Sequence, residues 1–335
     1  MKKNIKELLW EAARSDKKRA LPILSFPAAQ KLGVTVEELV KSAELQAKAI
    51  ETVANSTDTL GAISLMDLSV EAEAFGATVK FSPDEVPAIV GQLVCDEEGA
   101  DSLEVPSLDK GRASVCVEGI RLASERIKDK PVLAGIIGPF SLSGRLMDVT
   151  EIMYLCFDEP ETVQKVLDKA TEYLTEYAKA FKAAGASGIL MAEPLAGIMS
   201  PAMAEEFSVP YVKRIIDAVQ DGDFSVIYHN CGNAVAEMAD EIFSQGAAAY
   251  HFGNAVSMEK MLEKAPADTV CMGNIDPVAC FAEGTPHIMK NAVNDLLARC
   301  AKYPNFVISS GCDIPHHAPW ENINAFFEAV REWKA

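Results

Sequence analysis

His229 and Cys231 stand two residues apart at the end of a short apolar run, Ser225-Val-Ile-Tyr228. The run is brief, β-branched and soon followed by Asn and Gly, so it reads as a buried strand. In an extended backbone residues i and i+2 point to the same side, so the imidazole and the thiol can face one point. A second apolar run, Phe306 to Ser309, leads into Ser310-Gly311-Cys312-Asp313. If that strand lies near the first, one imidazole and two thiols converge. Such a set suits zinc and leaves one of the usual four coordination positions open, as catalytic sites do. The three residues are also far apart in sequence, which fits a site assembled at a barrel mouth better than a compact structural knot.

Other strand ends carry groups with more than one reading. Asp67, after Leu60–Leu65, could orient a substrate or cap the helix that follows. Glu193, after Gly188–Met191, is a candidate zinc ligand, proton-handling group or hydrogen-bonding partner for His229. His251, within Ala247–Phe252, could complete the metal shell or handle a proton, and its plainer role is a hydrogen-bonded core histidine. His316 and His317 follow Cys312 in a loop, where exposed histidines are common and contact with substrate is the lesser reading. Asp276, in Asn274-Ile-Asp-Pro277, suits an Asx-turn before proline, and Asp313 suits a loop or helix cap. Leu65, Met66 and Met191 read as core.

These residues need a scaffold, and the chain offers an alternation. Its 335 residues are 49% hydrophobic, ample for one large core. The formal charge of −18 argues against nucleic-acid or anionic-membrane partners and is compatible with a cytoplasmic enzyme. Met1-Lys-Lys-Asn-Ile5 begins a polar helix rather than an export segment, and no run approaches a membrane span. The eight cysteines include no CxxC pair, and most read as small buried hydrophobes.

In chain order, an amphipathic helix is expected over 3–14 and a strand over Leu21–Phe26. A capping box at Thr35-Val-Glu-Glu38 opens a helix running to about Ala54. Strand two is Leu60–Leu65. The stretch 66–130 is too long for an ordinary loop. It holds a hairpin (Ala77–Phe81, Ala88–Val94), an acidic irregular stretch at 96–101 and a helix over Ala113–Ile127, and reads as an insertion over the barrel mouth, between strands two and three. Strands follow at Val132–Ile137, Gly188–Met191, Ser225–Tyr228, Ala247–Phe252, Thr269–Met272 and Phe306–Ser309. Helices are expected over 161–184, from Ser200-Pro201 onward and over 321–333. Eight strands separated by long crossovers predict an α/β fold, a (β/α)8 TIM barrel of one domain over 1–335, with 1–20 as an N-terminal helical extension. In that fold reactive residues gather at the carboxyl ends of strands. A doubly wound open sheet is the alternative, but the first βα turn lacks GxGxxG and there is no P-loop.

Met66-Asp-Leu-Ser-Val-Glu-Ala-Glu-Ala-Phe-Gly76, Ala192-Glu-Pro194, Met199-Ser-Pro201, His229-Asn-Cys-Gly-Asn233, Gly273-Asn-Ile-Asp-Pro277 and Ser310-Gly-Cys-Asp-Ile-Pro315 together resemble the uroporphyrinogen decarboxylase superfamily. Within it they are most similar to the methylcobamide:coenzyme M methyltransferase branch, over essentially the whole chain. The resemblance implies a zinc-dependent barrel, with His229, Cys231 and Cys312 as ligands. The decarboxylases carry Arg-Gln-Ala-Gly-Arg near the first strand, whereas this chain has Ser25-Phe-Pro-Ala-Ala-Gln30, without the arginines that would clamp a polycarboxylate. After strand six the branch tends to have an acidic pair, and this chain has His251-Phe-Gly-Asn254, which leaves the fourth zinc position unassigned.

The function that follows is methyl transfer between a corrinoid and a thiol such as coenzyme M, since zinc strips the proton from a bound thiol. The corrinoid, methylcobalamin-like, would ride on a partner corrinoid protein, because this chain lacks Asp-x-His-x-x-Gly. The same zinc could instead polarise a methyl ether or methanol-like donor while reduced corrinoid accepts the methyl group. A decarboxylase-like enzyme and a non-catalytic zinc-holding barrel are the remaining alternatives, and a homodimer is left open.

Overall fold

The computed structural model describes residues 4–334. The expected start of the first helix at residue 3, and the segment before it, lie outside the described residues. In chain order the strands are β1 (Ala62–Ile63), β2 (Thr78–Ser82), β3 (Glu85–Val90), β4 (Val132–Ile137), β5 (Gly188–Ala192), β6 (Ser225–Asn230), β7 (Ala249–Phe252), β8 (Val270–Ile275) and β9 (Phe306–Ser310). Seven of them form one parallel sheet in the order β1-β4-β5-β6-β7-β8-β9, and β2 and β3 form a separate antiparallel hairpin. The strands of the large sheet are almost entirely buried, as expected for parallel strands covered on both faces. Between them run helices such as Ala113–Arg126, Pro160–Ala183 and Pro286–Cys300.

Two rows of side chains follow from the period of two. Leu133, Leu190, Ile227, Ala249, Met272 and Val307 point into one core, shared with Leu21 and Ile23. Their neighbours Ala134, Ile189, Val226, Cys271 and Ile308 face the surrounding helices. Helix Ile5–Arg14 turns Ile5, Leu9, Ala12 and Ala13 onto the first core and joins it there. Asn4 starts that helix by accepting from the Lys6 N–H at 2.8 Å.

Several expectations need correction. Leu21–Phe26 is extended at first but is not a sheet strand. Leu21 N donates to Ile308 O (3.3 Å) and Leu60 N to Ala20 O (2.9 Å), but Ile23 N donates to the Ser310 hydroxyl (3.0 Å), so a side chain interrupts the ladder. The capping box at Thr35 and Glu38 is present, but its helix stops at Val40, and Ser42 caps a new helix over Ala43–Ser56. The acidic stretch is not irregular: Asp96 accepts from Gly99 N (2.8 Å) and starts a helix over Glu97–Ser102. Helices Pro139–Met147 and Val149–Asp158, and a short one over Val70–Ala74, went unforeseen. Of the eight free cysteines only Cys156, Cys271 and Cys300 are fully buried. Among the described residues, no helix is long and apolar enough to cross a membrane.

Candidate metal centre

His229, His251 and Ser309 each continue an inward row by two residues, from Ile227, Ala249 and Val307. All three therefore face the interior at the carboxyl ends of β6, β7 and β9. Cys231 follows β6 in the same phase, and Cys312 lies two residues beyond β9. Strands about 4.8 Å apart would place β6 and β9 roughly 14 Å apart in a flat sheet. Yet the donor atoms of His229, Cys231 and Cys312 all lie within 4.8 Å of one another. The sheet is thus strongly curled, and its curl assembles the group.

The His229 imidazole is buried, while the two thiols are partly open to solvent. Cys312 Sγ approaches His229 Nε2 at 3.6 Å. Hydrogen bonding from the Cys312 thiol pulls Cys231 well below the usual thiol range, and the same bond with burial pushes Cys312 up. On its other side His229 Nδ1 lies 2.8 Å from His251 Nδ1 and 3.3 Å from the His251 carbonyl. His251 Nε2 meets the Ser309 hydroxyl at 2.7 Å. Burial, then the neighbouring His229, push His251 well below the ordinary histidine range. An imidazole and two soft sulfurs so placed could hold a divalent metal ion of soft or borderline character.

The structure does not bring the acidic candidates to this group. Glu193 falls one residue out of phase with the inward Leu190 and Ala192, so its carboxylate turns outward, beneath helix Pro139–Met147. There it accepts from Phe140 N (3.1 Å) and Ser141 N (2.6 Å). Burial outweighs these bonds and raises its pKa to about 7. Asp67 is buried in an ion pair with Arg112, which also binds Glu73 (2.7 Å), while Ser69 donates to Asp67 from its hydroxyl (2.6 Å). Asp276 makes the Asx-turn, accepting from Val278 N and Ala279 N at 2.8 Å each. Asp313 receives the Ile314 N–H on its carboxyl, while its Oδ1 is buried without a partner. His316 and His317 stack edge to face, with ring centres 5.1 Å apart, and do not join the group.

Ser309, Arg112 and Glu71 were missed. The inward row through Val307 could have pointed to Ser309. Nothing local marks Arg112, whose partner lies 45 residues earlier. Glu71, buried in a helix of five residues, accepts from Ile137 N (3.0 Å) and has its pKa raised by burial to about 7.

Comparisons with known proteins agree with this architecture. The chain is 27% identical to the methylcobamide:CoM methyltransferase MtbA of Methanosarcina acetivorans, over 98% of both chains. It is 25% identical to the uroporphyrinogen decarboxylase of Carboxydothermus hydrogenoformans, over 88% of this chain and 85% of that one. A solved methyltransferase from Methanosarcina mazei has the same fold, with a TM-score of 0.88 at 23% identity over 99% of each chain. The family model of uroporphyrinogen decarboxylase matches residues 9–333, and the chain belongs to that family.

Proposed function

We propose that this protein is a zinc-dependent methyltransferase that moves a methyl group between a corrinoid, carried on a partner protein, and a thiol such as coenzyme M. The convergence of His229, Cys231 and Cys312 carries the reading, and its likeness along the whole chain to a methylcobamide:CoM methyltransferase supports it. Zinc, when bound, would supply a Lewis acid that holds a substrate thiol as its thiolate at neutral pH. The residues do the rest. Cys231 and Cys312 offer negative sulfur, so the centre carries little net positive charge and leaves a substrate sulfur nucleophilic. His229 adds a neutral nitrogen. Among the described residues no fourth His, Cys, Asp or Glu joins the three, which favours an open position over a closed structural site.

The scaffold belongs to the same proposal. We read residues 1–335 as one (β/α)8 barrel, with the extended segment 20–25 as its eighth stave between β9 and β1. The bonds from Leu21 N to Ile308 O and from Leu60 N to Ala20 O support that reading. Residues 1–20 form the extension, and 66–130, including the hairpin of β2 and β3, cover the mouth. Decarboxylation fits poorly. Ser25–Gln30 has no arginine, Gln30 is bound to the Ala318 carbonyl (3.0 Å), and buried Arg112 is already taken by Asp67 and Glu73.

The assay mixes the zinc-loaded protein with methylated corrinoid and a panel of thiols and follows loss of the methyl–cobalt absorbance. In parallel, reduced corrinoid is offered with methyl ethers or methanol, and uroporphyrinogen is tested for release of carbon dioxide. Thiol-dependent demethylation is the expected result. Carbon dioxide release without methyl transfer in either direction would overturn the proposal.

A further inference from the structure

His251 was a candidate for the metal shell, but the acceptors around it assign it another task. The Ser309 hydroxyl lies 2.7 Å from the Leu21 carbonyl, which can only accept, so the hydroxyl proton is committed there. Towards His251 Nε2, 2.7 Å away on its other side, Ser309 Oγ is therefore an acceptor, and that nitrogen carries a hydrogen. A neutral imidazole has one N–H, so His251 Nδ1 is bare and accepts from His229 Nδ1 across 2.8 Å. The same proton is located independently from the other end. His229 Nδ1 also faces the His251 carbonyl at 3.3 Å, and a carbonyl requires a donor. With its hydrogen on Nδ1, His229 has its lone pair on Nε2, the nitrogen that faces Cys312 Sγ.

We propose that His251 is a positioning residue: with Ser309 and the Leu21 carbonyl it fixes His229 as the Nδ1–H tautomer and aims the Nε2 lone pair into the metal centre. This rests on the metal-centre reading above. The relay runs from Leu21 through β9 and β7 to β6, so three inward rows and the extended segment 20–25 set one nitrogen. It also removes His251 from the list of ligands, because its only bare nitrogen is occupied by His229. Partners of this kind orient the ring and raise its basicity, and their loss typically weakens metal binding about 10- to 100-fold.

The test uses the full chain and reads the tautomers before any metal is added. In metal-free protein with 15N-labelled histidine, long-range 15N–1H spectra of the five histidines are assigned through variants of positions 229 and 251. His229 should show a protonated Nδ1 and bare Nε2, and His251 the reverse. Zinc affinity is then measured by competition with a chromophoric chelator. His251→Leu, which removes the acceptor, should raise the zinc dissociation constant about 10- to 100-fold. His251→Asn, of similar size but with an oxygen near the former Nδ1, should recover most of that loss. Ser309→Ala should release the His251 tautomer while leaving the ring in place. If wild-type protein fails to bind zinc, the metal reading itself falls. If it binds zinc but His229 carries its hydrogen on Nε2, or His251→Leu and His251→Asn bind zinc equally, the positioning role is overturned.

Discussion

Glu193 and His229 are joined by a backbone hydrogen bond, Glu193 N to His229 O at 2.9 Å, yet they serve different sides of the sheet. One residue of phase separates a carboxylate that receives a helix from an imidazole that faces the core. Two predictions follow from the packing of such buried carboxyls. A Cβ on Gly138 would run into the Glu193 carboxylate, so Gly138→Ala should push it off the Phe140 and Ser141 N–H groups. Each buried group left unsatisfied costs about 1–3 kcal/mol, so with two such N–H groups the variant should lose about 2–6 kcal/mol in denaturant unfolding while keeping its metal content. Unchanged stability would show that the carboxylate has another place to go. Glu71 makes the pH prediction. Its pKa is raised from the ordinary carboxyl value to about 7 by burial. The protonated form therefore contributes fully below about pH 4.5, and that contribution is lost as pH rises through 7, because the unfolded chain ionises first. A gap of that size amounts to at most about 3 kcal/mol. Glu71→Gln should accordingly gain stability relative to wild type between pH 5 and pH 8, and a difference that stays flat over that window would refute the account.

At the scale of elements, the two feet of the excursion between β1 and β4 are held by one arginine. Arg112, at the start of helix Ala113–Arg126, pairs with Asp67 and Glu73 on the near foot and lies 4.9 Å over the Phe81 ring of β2. The hairpin tip is tied separately, by Val36 N donating to Pro83 O at 2.7 Å. Removing the guanidinium leaves Asp67 buried without its counter-charge, a change that costs about 3–5 kcal/mol. Arg112→Met should therefore be destabilised by that order, and cleavage by protease should appear between residues 75 and 111. Adding Asp67→Asn should restore part of the loss. If the double variant is no better than the single one, the ion pair is not what holds the feet. Strands such as β4 and β6 were legible because a short β-branched run bounded by Gly, Pro or Asn has few other readings. Helix Pro139–Met147 was not, since most of its circumference is buried, so no stripe appears, and Gly138 offers no side-chain cap. Leu21–Phe26 looked like a strand because Leu21 and Ile23 do join the inner core while Leu24 and Phe26 face the other way. Its pairing failed on a feature no pattern displays, the Ser310 hydroxyl taking the Ile23 N–H. The nearness of His229 and Cys231 was legible for the opposite reason: the period of two places both on one side whatever the neighbours are. Arg112 was invisible because its meaning lies in a fold that brings residue 112 to residue 67.

For the whole molecule, the curled sheet has its inward core joined by helix Ile5–Arg14 and ends, at the strand carboxyl termini, in the group of His229, Cys231 and Cys312. The three donors come from the end of β6, from the residue just after it and from beyond β9, strands separated in the sheet by β7 and β8. A metal ion held by all three would tie together segments that otherwise meet only through the curl. Since the unfolded chain cannot present the three donors together, binding adds to folding stability by mass action. At free zinc about 100-fold above the dissociation constant the gain is about 2.7 kcal/mol. With an unfolding entropy of about 2.1 cal/mol/K per residue, a chain of 335 residues should then melt about 4 °C higher with zinc than without. Cys231→Ala and Cys312→Ala should each abolish most of that increment, whereas Glu193→Gln should keep it, because Glu193 bonds to the helix Pro139–Met147 backbone instead. The comparison is made by thermal unfolding, at fixed free zinc, of each variant with and without metal. A wild-type melting temperature indifferent to zinc, or an increment that survives loss of both thiols, would mean that the ends of β6 and β9 meet without a metal to join them.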